Sequence, residues 1–371
     1  MSDKVNAWIN VILISAVILI FTVADFFQED RLFSDTENRM LAQKPKFSLE
    51  GLFRGTYTQD YETYVTDQFV SRDKWIAVKT GLDILMQKKE IGGVYLCRED
   101  YLIEQHLPQA HPQEQVEEKL KLLSKLVDQW DAKVMLVPTA DNVLTEKLPA
   151  YALYFDQTAF LEQAEGRLGR EHLIDVHSLL YEHRSEEIYY RTDHHWTSLG
   201  AYYGYQAWAA AMGVESYPYE NRKVVTRDFL GTLHSKINVP WKSDSIFLFE
   251  ETAKWPVKVT YDVQKVTDTL YEEGYLDTKN KYGFFLDDNH ALVEVETGAG
   301  TGKTLFLIKD SYANCFVPLL LPHYDKIYVL DLRYYNGRLN VLMNQYGKPG
   351  EMDVLILYNC IHFLEEFKYV G

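Results

Sequence analysis

Residues 304–314 read Thr304-Leu305-Phe306-Leu307-Ile308-Lys309-Asp310-Ser311-Tyr312-Ala313-Asn314. The opening TLFLI is a short β-favouring run with no polar alternation, which predicts a strand buried on both faces. A charged and then small polar stretch follows at its carboxyl end. In an open parallel sheet, ligands bind beyond the carboxyl ends of the strands, so a serine directly after such a run is well placed as an exposed nucleophile. Read alone, a serine such as Ser311 is more often a helix N-cap.

Working outward, the same pattern recurs. Ile327–Leu330 (IYVL) is followed by Asp331-Leu332-Arg333-Tyr334-Tyr335-Asn336-Gly337, and Val354–Leu357 (VLIL) by Tyr358-Asn359. Lys133–Val137 (KVMLV) and Leu173–Val176 read as further strands. After Pro112, Val116, Leu120, Leu123, Val127 and Trp130 line one face of a predicted helix. Strands alternating with helices argue for an α/β domain with a mostly parallel sheet. The stretch from about 217 to 302 departs from this pattern. Segments such as Lys258–Val263 and Leu292–Val295 alternate polar and apolar residues, so it reads as a β-rich insertion. Upstream, Tyr57, Tyr61, Tyr64, Val65 and Phe69 recur at helical spacing, and Gly92–Leu96 with Tyr101–Ile103 reads as a hairpin.

The length of 371 residues fits one large domain with an insertion, or two domains. The formal net charge of −16 repels phosphate backbones, which excludes nucleic acid as a natural partner. The 27 tyrosines admit two readings: sugar-stacking groove residues, or half-buried strand residues. Cys97, Cys315 and Cys360 are far apart with no CxxC spacing, so neither a disulfide framework nor a zinc site is predicted.

Trp8–Ala24 (WINVILISAVILIFTVA) carries no charged residue and is about long enough to cross a hydrocarbon core. It has no polar face, which rules against a buried core helix. Thr22-Val23-Ala24 loosely fits a signal cleavage site, but the run is long and bulky Phe26-Phe27 follows, which favours an uncleaved anchor. Lys4 before it and Arg31 after it give almost no orientational bias. The division expected is a tail at 1–7, a transmembrane signal anchor at 8–27, a polar stalk at 28–50 and a catalytic domain at 51–371. The catalytic domain is expected outside the cytoplasm.

The second constellation is Arg191-Thr192-Asp193-His194-His195-Trp196-Thr197. A serine hydroxyl needs a base, and that base needs a carboxylate to fix its tautomer. An Asp beside two His supplies both. A metal site lacks a third and fourth ligand at suggestive spacing. A metal-dependent phosphoesterase of the Asp-His-His type needs further aspartate motifs that are absent, and a structural turn is the remaining alternative.

Asp193-His194-His195-Trp196 resembles the signature of the DHHW family. That family is similar to the alginate O-acetylation proteins AlgX and AlgJ of the SGNH hydrolase-like group. Their Asp-x-His-Trp element is followed far downstream by Asp-Ser-Tyr, matched here by Asp193-x-His195-Trp196 and Asp310-Ser311-Tyr312. Glu37-Asn38-Arg39, Asp67–Asp73 and Asp331–Tyr335 extend the likeness over most of the chain beyond the anchor. The resemblance implies a three-layer α/β/α SGNH-like fold, with the Asp-x-His element before the serine strand in a permuted order. It implies Ser311 as nucleophile, His195 as base and Asp193 as its orienter. Asn359, with the Ser311 backbone N–H, becomes an oxyanion candidate, and Tyr312, Asn314, Arg333 and Trp196 become further oxyanion or substrate-binding candidates. Where the group usually has glycine, this chain has Leu332 and Arg333; the arginine either binds a substrate carboxylate or pairs with a structural acid. The implied activity is O-acetylation of an exported polysaccharide, alongside a membrane protein that supplies acetyl groups. A carbohydrate acetylesterase and a non-catalytic polysaccharide-binding scaffold are the alternatives. The chemistry calls for no cofactor and no metal.

Overall fold

The computed structural model describes residues 3–34, 36–37 and 39–368. It contains two compact units, Met1–Lys88 with Ser235–Pro240, and Lys89–His234 with Trp241–Gly371.

The first unit opens with α1 (Asp3–Phe27), followed by the short antiparallel pair β1 (Phe33–Ser34) and β2 (Arg39–Met40). Then come α2 (Leu49–Arg54), α3 (Thr56–Gln68) and α4 (Arg72–Leu85). Among the described residues, Lys4–Phe27 is the one helix long and apolar enough to span a membrane. The segment read as a stalk is tied down by its polar residues. Arg39 forks onto the buried Asp67 at 2.6 and 2.9 Å, and Asp67 also accepts the Ala42 N–H at 2.8 Å. Arg72 reaches Glu37 at 2.9 Å. The Arg39 hydrogen bonds draw the Asp67 carboxyl down to about 2, against the opposing effect of burial. Glu37, Arg39 and the Asp67–Asp73 segment thus form one clasp; Asn38 lies outside the described residues.

The second unit begins with a small antiparallel sheet, β3 (Glu90–Ile91), β4 (Val94–Leu96) and β5 (Leu102–Glu104), which contains the predicted hairpin. It continues through α5 (Gln113–Trp130), β6 (Lys133–Val137), α6 (Ala140–Val143), α7 (Gln157–Leu168), α8 (His177–Glu182) and α9 (Ser198–Met212). Next come β7 (Arg222–Phe229), the start of α10 (Thr232–Ile237), whose residues from Ser235 belong to the first unit, then β8 (Asp244–Phe249), α11 (Glu250–Lys254), β9 (Lys258–Tyr261), β10 (Lys265–Thr267) and β11 (Leu292–Glu296). The chain ends with β12 (Thr304–Lys309), β13 (Lys326–Asp331), α12 (Leu339–Tyr346), β14 (Asp353–Asn359) and α13 (Cys360–Glu366).

Seven strands form the central sheet in the order β10-β9-β11-β13-β12-β14-β6. The four strands from β13 to β6 run parallel, and β11, β9 and β10 extend the sheet antiparallel. Alternate side chains of each parallel strand enter opposite cores, as a pleated strand requires. Leu305, Leu307, Leu355 and Leu357 pack on one side with Leu180 of α8 and Leu199, Tyr205 and Trp208 of α9. Phe306, Ile308, Val354 and Ile356 pack on the other, against α5, α7, α12 and α13. The result is a three-layer α/β/α unit whose inner strands are apolar on both faces.

One expectation changes. Leu173–Val176 makes a single bridge, Val134 to Leu173, and not a strand, because Asp175 turns the chain by accepting from Ser178. The 217–302 stretch is β-rich: its β7–β8 hairpin stands alone, and β9, β10 and β11 add to the central sheet edge.

Candidate active site

β12 lies between β13 and β14, so the strand order reverses there and a crevice opens at the carboxyl ends. Asp310 and Ser311 leave β12 at that point. Asp310 caps the turn Ser311–Cys315, its Oδ1 accepting the Tyr312 N–H at 3.0 Å. Its Oδ2 accepts the Asn359 backbone N–H at 3.0 Å, the Asn359 side-chain N–H at 2.9 Å and His362 Nδ1 at 3.1 Å. The nucleophile turn is thereby fastened to the end of β14. Burial works against the Asp310 charge, but His362 and the Asn359 N–H outweigh it and hold the carboxyl below its usual range.

Ser311 Oγ lies 2.8 Å from His195 Nε2, and His195 Nδ1 lies 2.6 Å from Asp193 Oδ1. A carboxylate can only accept, so Nδ1 carries the proton and Nε2 presents its lone pair to the serine. Asp193 is itself fixed by four donors: on Oδ1 the His195 ring and the His195 backbone N–H at 3.0 Å, and on Oδ2 the Thr232 N–H at 2.8 Å and the Thr232 hydroxyl at 3.1 Å. Burial disfavours its charge, yet His195, His194 and Thr232 together hold its carboxyl far below the usual range.

Residues far off in sequence hold this line in place. A Cβ at Gly231 would come within 2.3 Å of Asp193, so only glycine lets the Thr232 amide approach that carboxylate. Asp244 accepts both backbone N–H groups of Arg191 and Thr192, at 2.9 and 2.8 Å, and so clamps the turn before Asp193. The Tyr282 ring stacks on His195 at 3.8 Å, and its hydroxyl donates to the Ser311 carbonyl at 3.1 Å. Gly231, Thr232, Asp244, Tyr282 and His362 were not among the sequence candidates. Their signal lay inside the stretch read as an insertion, or beyond the last strand, where no local motif marks them.

The other sequence candidates are engaged, and all but the half-buried Arg333 are buried. Trp196 donates its indole N–H to the Tyr312 carbonyl at 2.8 Å, and the Tyr312 hydroxyl donates to the His194 carbonyl at 2.5 Å. These bonds lock the two motifs to each other. Asn314 accepts from the buried Lys309 at 2.6 Å and donates to the Asp288 carbonyl at 3.1 Å. Arg333 grips Asp331 at 2.9 and 2.6 Å. Asn359 caps α13, its Oδ1 accepting from Ile361 and His362, and one side-chain N–H goes to Asp310.

The His194 ring lies alongside His195, centroids 3.9 Å apart, with Nδ1 2.8 Å from the Thr232 hydroxyl. Burial and the adjacent His195 push it down to about 3, so it is neutral at ordinary pH. A polar cavity of about 180 Å³ opens beside it, lined by His194, His362, Asn359, His106 and Thr139. Burial opposes protonation of His106, but Asp141 at 2.9 Å raises it to about 10. Asp193, His194 and His195 offer ligand atoms within 4.8 Å of one another. The Nδ1–H of His195 fills the 2.6 Å to Asp193 Oδ1, which leaves that carboxylate oxygen a poor metal ligand.

The mainly parallel three-layer sheet is an SGNH-like α/β fold, with the hydrogen-bonded Ser-His-Asp line at its switch point. The family model for DHHW proteins matches residues 162–330 of this chain. The fold is shared with a DHHW family protein from Eubacterium siraeum, at 20% identity and a TM-score of 0.61, over 74% of this chain and 93% of that one. It is also shared with Bacillus cereus PatB1, whose structure carries a sulfonyl adduct, at 20% identity and a TM-score of 0.58, over 74% of this chain and 97% of that one. The O-acetyltransferase domain of Pseudomonas putida AlgJ aligns more loosely, with a TM-score of 0.46 at 16% identity, over 74% of this chain and 93% of that one. No curated protein sequence matches.

Proposed function

We propose that this chain is a membrane-anchored extracytoplasmic acyltransferase that moves an acetyl group onto a hydroxyl of an exported polysaccharide through an acyl-enzyme on Ser311. The observation that carries the reading is the continuous line from Asp193 through His195 to Ser311, at 2.6 and 2.8 Å, at the carboxyl end of β12.

In the first half-reaction Ser311 Oγ attacks the acyl carbonyl as its proton passes to His195 Nε2. The new Oγ–C bond forms, the bond to the donor's leaving group breaks, and His195 returns the proton to that group. In the second half, His195 takes the proton of a sugar hydroxyl, whose oxygen attacks the acyl carbon and releases Ser311 Oγ, which regains a proton. Asp193 holds the imidazole throughout and balances its transient charge. The Ser311 backbone N–H and the second side-chain N–H of Asn359 are assigned to the oxyanion. Residues 8–27 are assigned as the anchor. Since a single span carries no acetyl group across a bilayer, a separate membrane protein is assigned as donor.

The test uses the full chain in detergent. Release from a chromogenic acetyl ester is followed for wild type and Ser311→Ala, with and without an oligosaccharide acceptor, and acetylated sugar is read by mass spectrometry. Serine-dependent release with acetylated sugar supports the proposal. Serine-dependent release with free acetate only makes the protein an esterase. A sulfonyl fluoride, the reagent class suggested by the PatB1 adduct, is expected to label Ser311; a wild type that neither turns over nor is labelled would leave a binding role.

A further inference from the structure

The helix α4 is inside out. It buries Thr80 and Asp83, at 2% and 5% exposure, while Trp75, Val78, Leu82 and Leu85 are exposed at 47 to 77%. At about 100° per residue those four fall within an arc of about 80° on one side of the helix, with the C-cap Met86 extending it to about 100°. Lys74 and Lys79 fall at the two borders of that stripe, and both are exposed. Thr80 and Asp83 lie on the other side of it. Inward-facing Asp83 is neutralised by Lys88 at 2.6 Å and Lys79 at 3.4 Å. The short α2 repeats the feature, exposing Leu49, Leu52 and Phe53.

A contiguous exposed apolar face of this kind marks an interaction surface. What covers it is indicated by α1. Phe21, inside the uncharged run, packs on Phe69 at 5.9 Å and on Trp75 at 5.5 Å. The junction is pinned by Asp25 accepting the Val70 N–H at 3.2 Å and Gln28 donating to the Gln68 carbonyl at 2.7 Å. Phe21 stands three residues before the run ends at Ala24, roughly 4.5 Å along the helix axis. A ring touching it therefore sits just inside the hydrocarbon boundary, the depth at which interfacial helices and tryptophans settle.

Resting on the reading of α1 as an anchor, we propose that α4 lies in the bilayer interface. Trp75, Val78, Leu82 and Leu85 then sit among the acyl chains, and Lys74 reaches the headgroups. Continuity with the anchor and the flanking Lys74 favour lipid over a protein partner, since a long lysine stem reaches from an apolar surface to a polar one.

The full chain is reconstituted into phosphatidylcholine vesicles whose acyl chains are plain or brominated close to the headgroup. Subtracting the emission of Trp75→Phe, which keeps a ring against Phe21, isolates Trp75. The expected result is a roughly two-fold or greater loss of that difference emission in brominated vesicles, as for a ring at the acyl boundary. A second variant, Leu82→Glu with Leu85→Glu, is expected to stay with the vesicles through α1 while Trp75 escapes quenching. Vesicle flotation separates the two ideas. A chain that floats with Trp75 unquenched overturns the placement of α4, including in favour of a protein partner, and leaves the anchor standing. Quenching unaffected by the double substitution also overturns it. A chain that does not float overturns the anchor and this inference together.

Discussion

Asp193 and Asp310 each accept a hydrogen bond from an imidazole Nδ1, at 2.6 Å from His195 and at 3.1 Å from His362. Around Asp193 the remaining donors, the Thr232 N–H and hydroxyl and the His195 N–H, all serve to hold one carboxylate against one ring. Around Asp310 the donors come from three different places: the nucleophile turn, the end of β14 and α13. The first pair concentrates a charge behind a base. The second spreads a charge over the joints of the scaffold. The same two residue types become an orienting device or a clasp according to what else shares the carboxylate.

This comparison is broken most severely at His195. His195→Ala is expected to lower turnover by about 10²- to 10⁴-fold because proton transfer is lost, while the three donors left on the buried Asp193 carboxylate limit the fall in melting temperature. Steady-state ester hydrolysis and a thermal melt check both halves. Asp310→Asn should do the reverse. In either orientation it sets an amide N–H₂ against a donor and removes the charge, and breaking a buried ionic hydrogen-bond cluster of this kind costs about 3–5 kcal/mol. Denaturant titration reads that loss; a variant as stable as wild type would show that the clasp does not hold the turn.

The smallest effect is pH-dependent. Burial opposes protonation of His362, but Asp310 raises it above its ordinary value. A raised imidazole adds stability that is complete below its unfolded pKa of about 6.5 and is lost as pH rises through the folded one. The depressed Asp310 adds stability present above about pH 3.9 and lost as pH falls through its folded pKa. The clasp is therefore strongest between those limits. His362→Gln is expected to cost about 1.5–3 kcal/mol near pH 5, the worth of a hydrogen bond to a charged group. The difference from wild type should shrink as pH rises above about 6.5. Parallel melts across that range test it, and a difference that grows with pH would contradict the assignment.

Two helices of comparable length show why some of the fold was open to sequence reading. Helix α5 buries Val116, Leu120, Leu123, Val127 and Trp130, the residues its periodicity marks. Helix α4 has a similar stripe, but the stripe faces outward and Thr80 and Asp83 face inward. Periodicity identifies a face; it does not say whether protein or lipid meets it. The strands behave like α5. KVMLV became β6 without a change of boundary, and TLFLI, IYVL and VLIL lie within β12, β13 and β14. Leu173–Val176 makes only one bridge, to Val134, because the Asp175–Ser178 hydrogen bonds turn the chain there.

The sequence by itself determined the elements and the two motifs, since apolar runs, helical periodicity and an Asp-x-His-Trp or Asp-Ser-Tyr string are local properties of the chain. The tertiary structure alone decided which groups surround the serine. Ser311 and His195 are separated by 116 residues and meet because β12 ends beside the turn that Asp244 clamps. Thr232 reaches Asp193 because Gly231 has no side chain to block it, and Tyr282 covers the imidazole from a loop with no motif of its own. Such contacts depend on three-dimensional proximity between segments far apart in the chain, which spacing along a sequence does not encode.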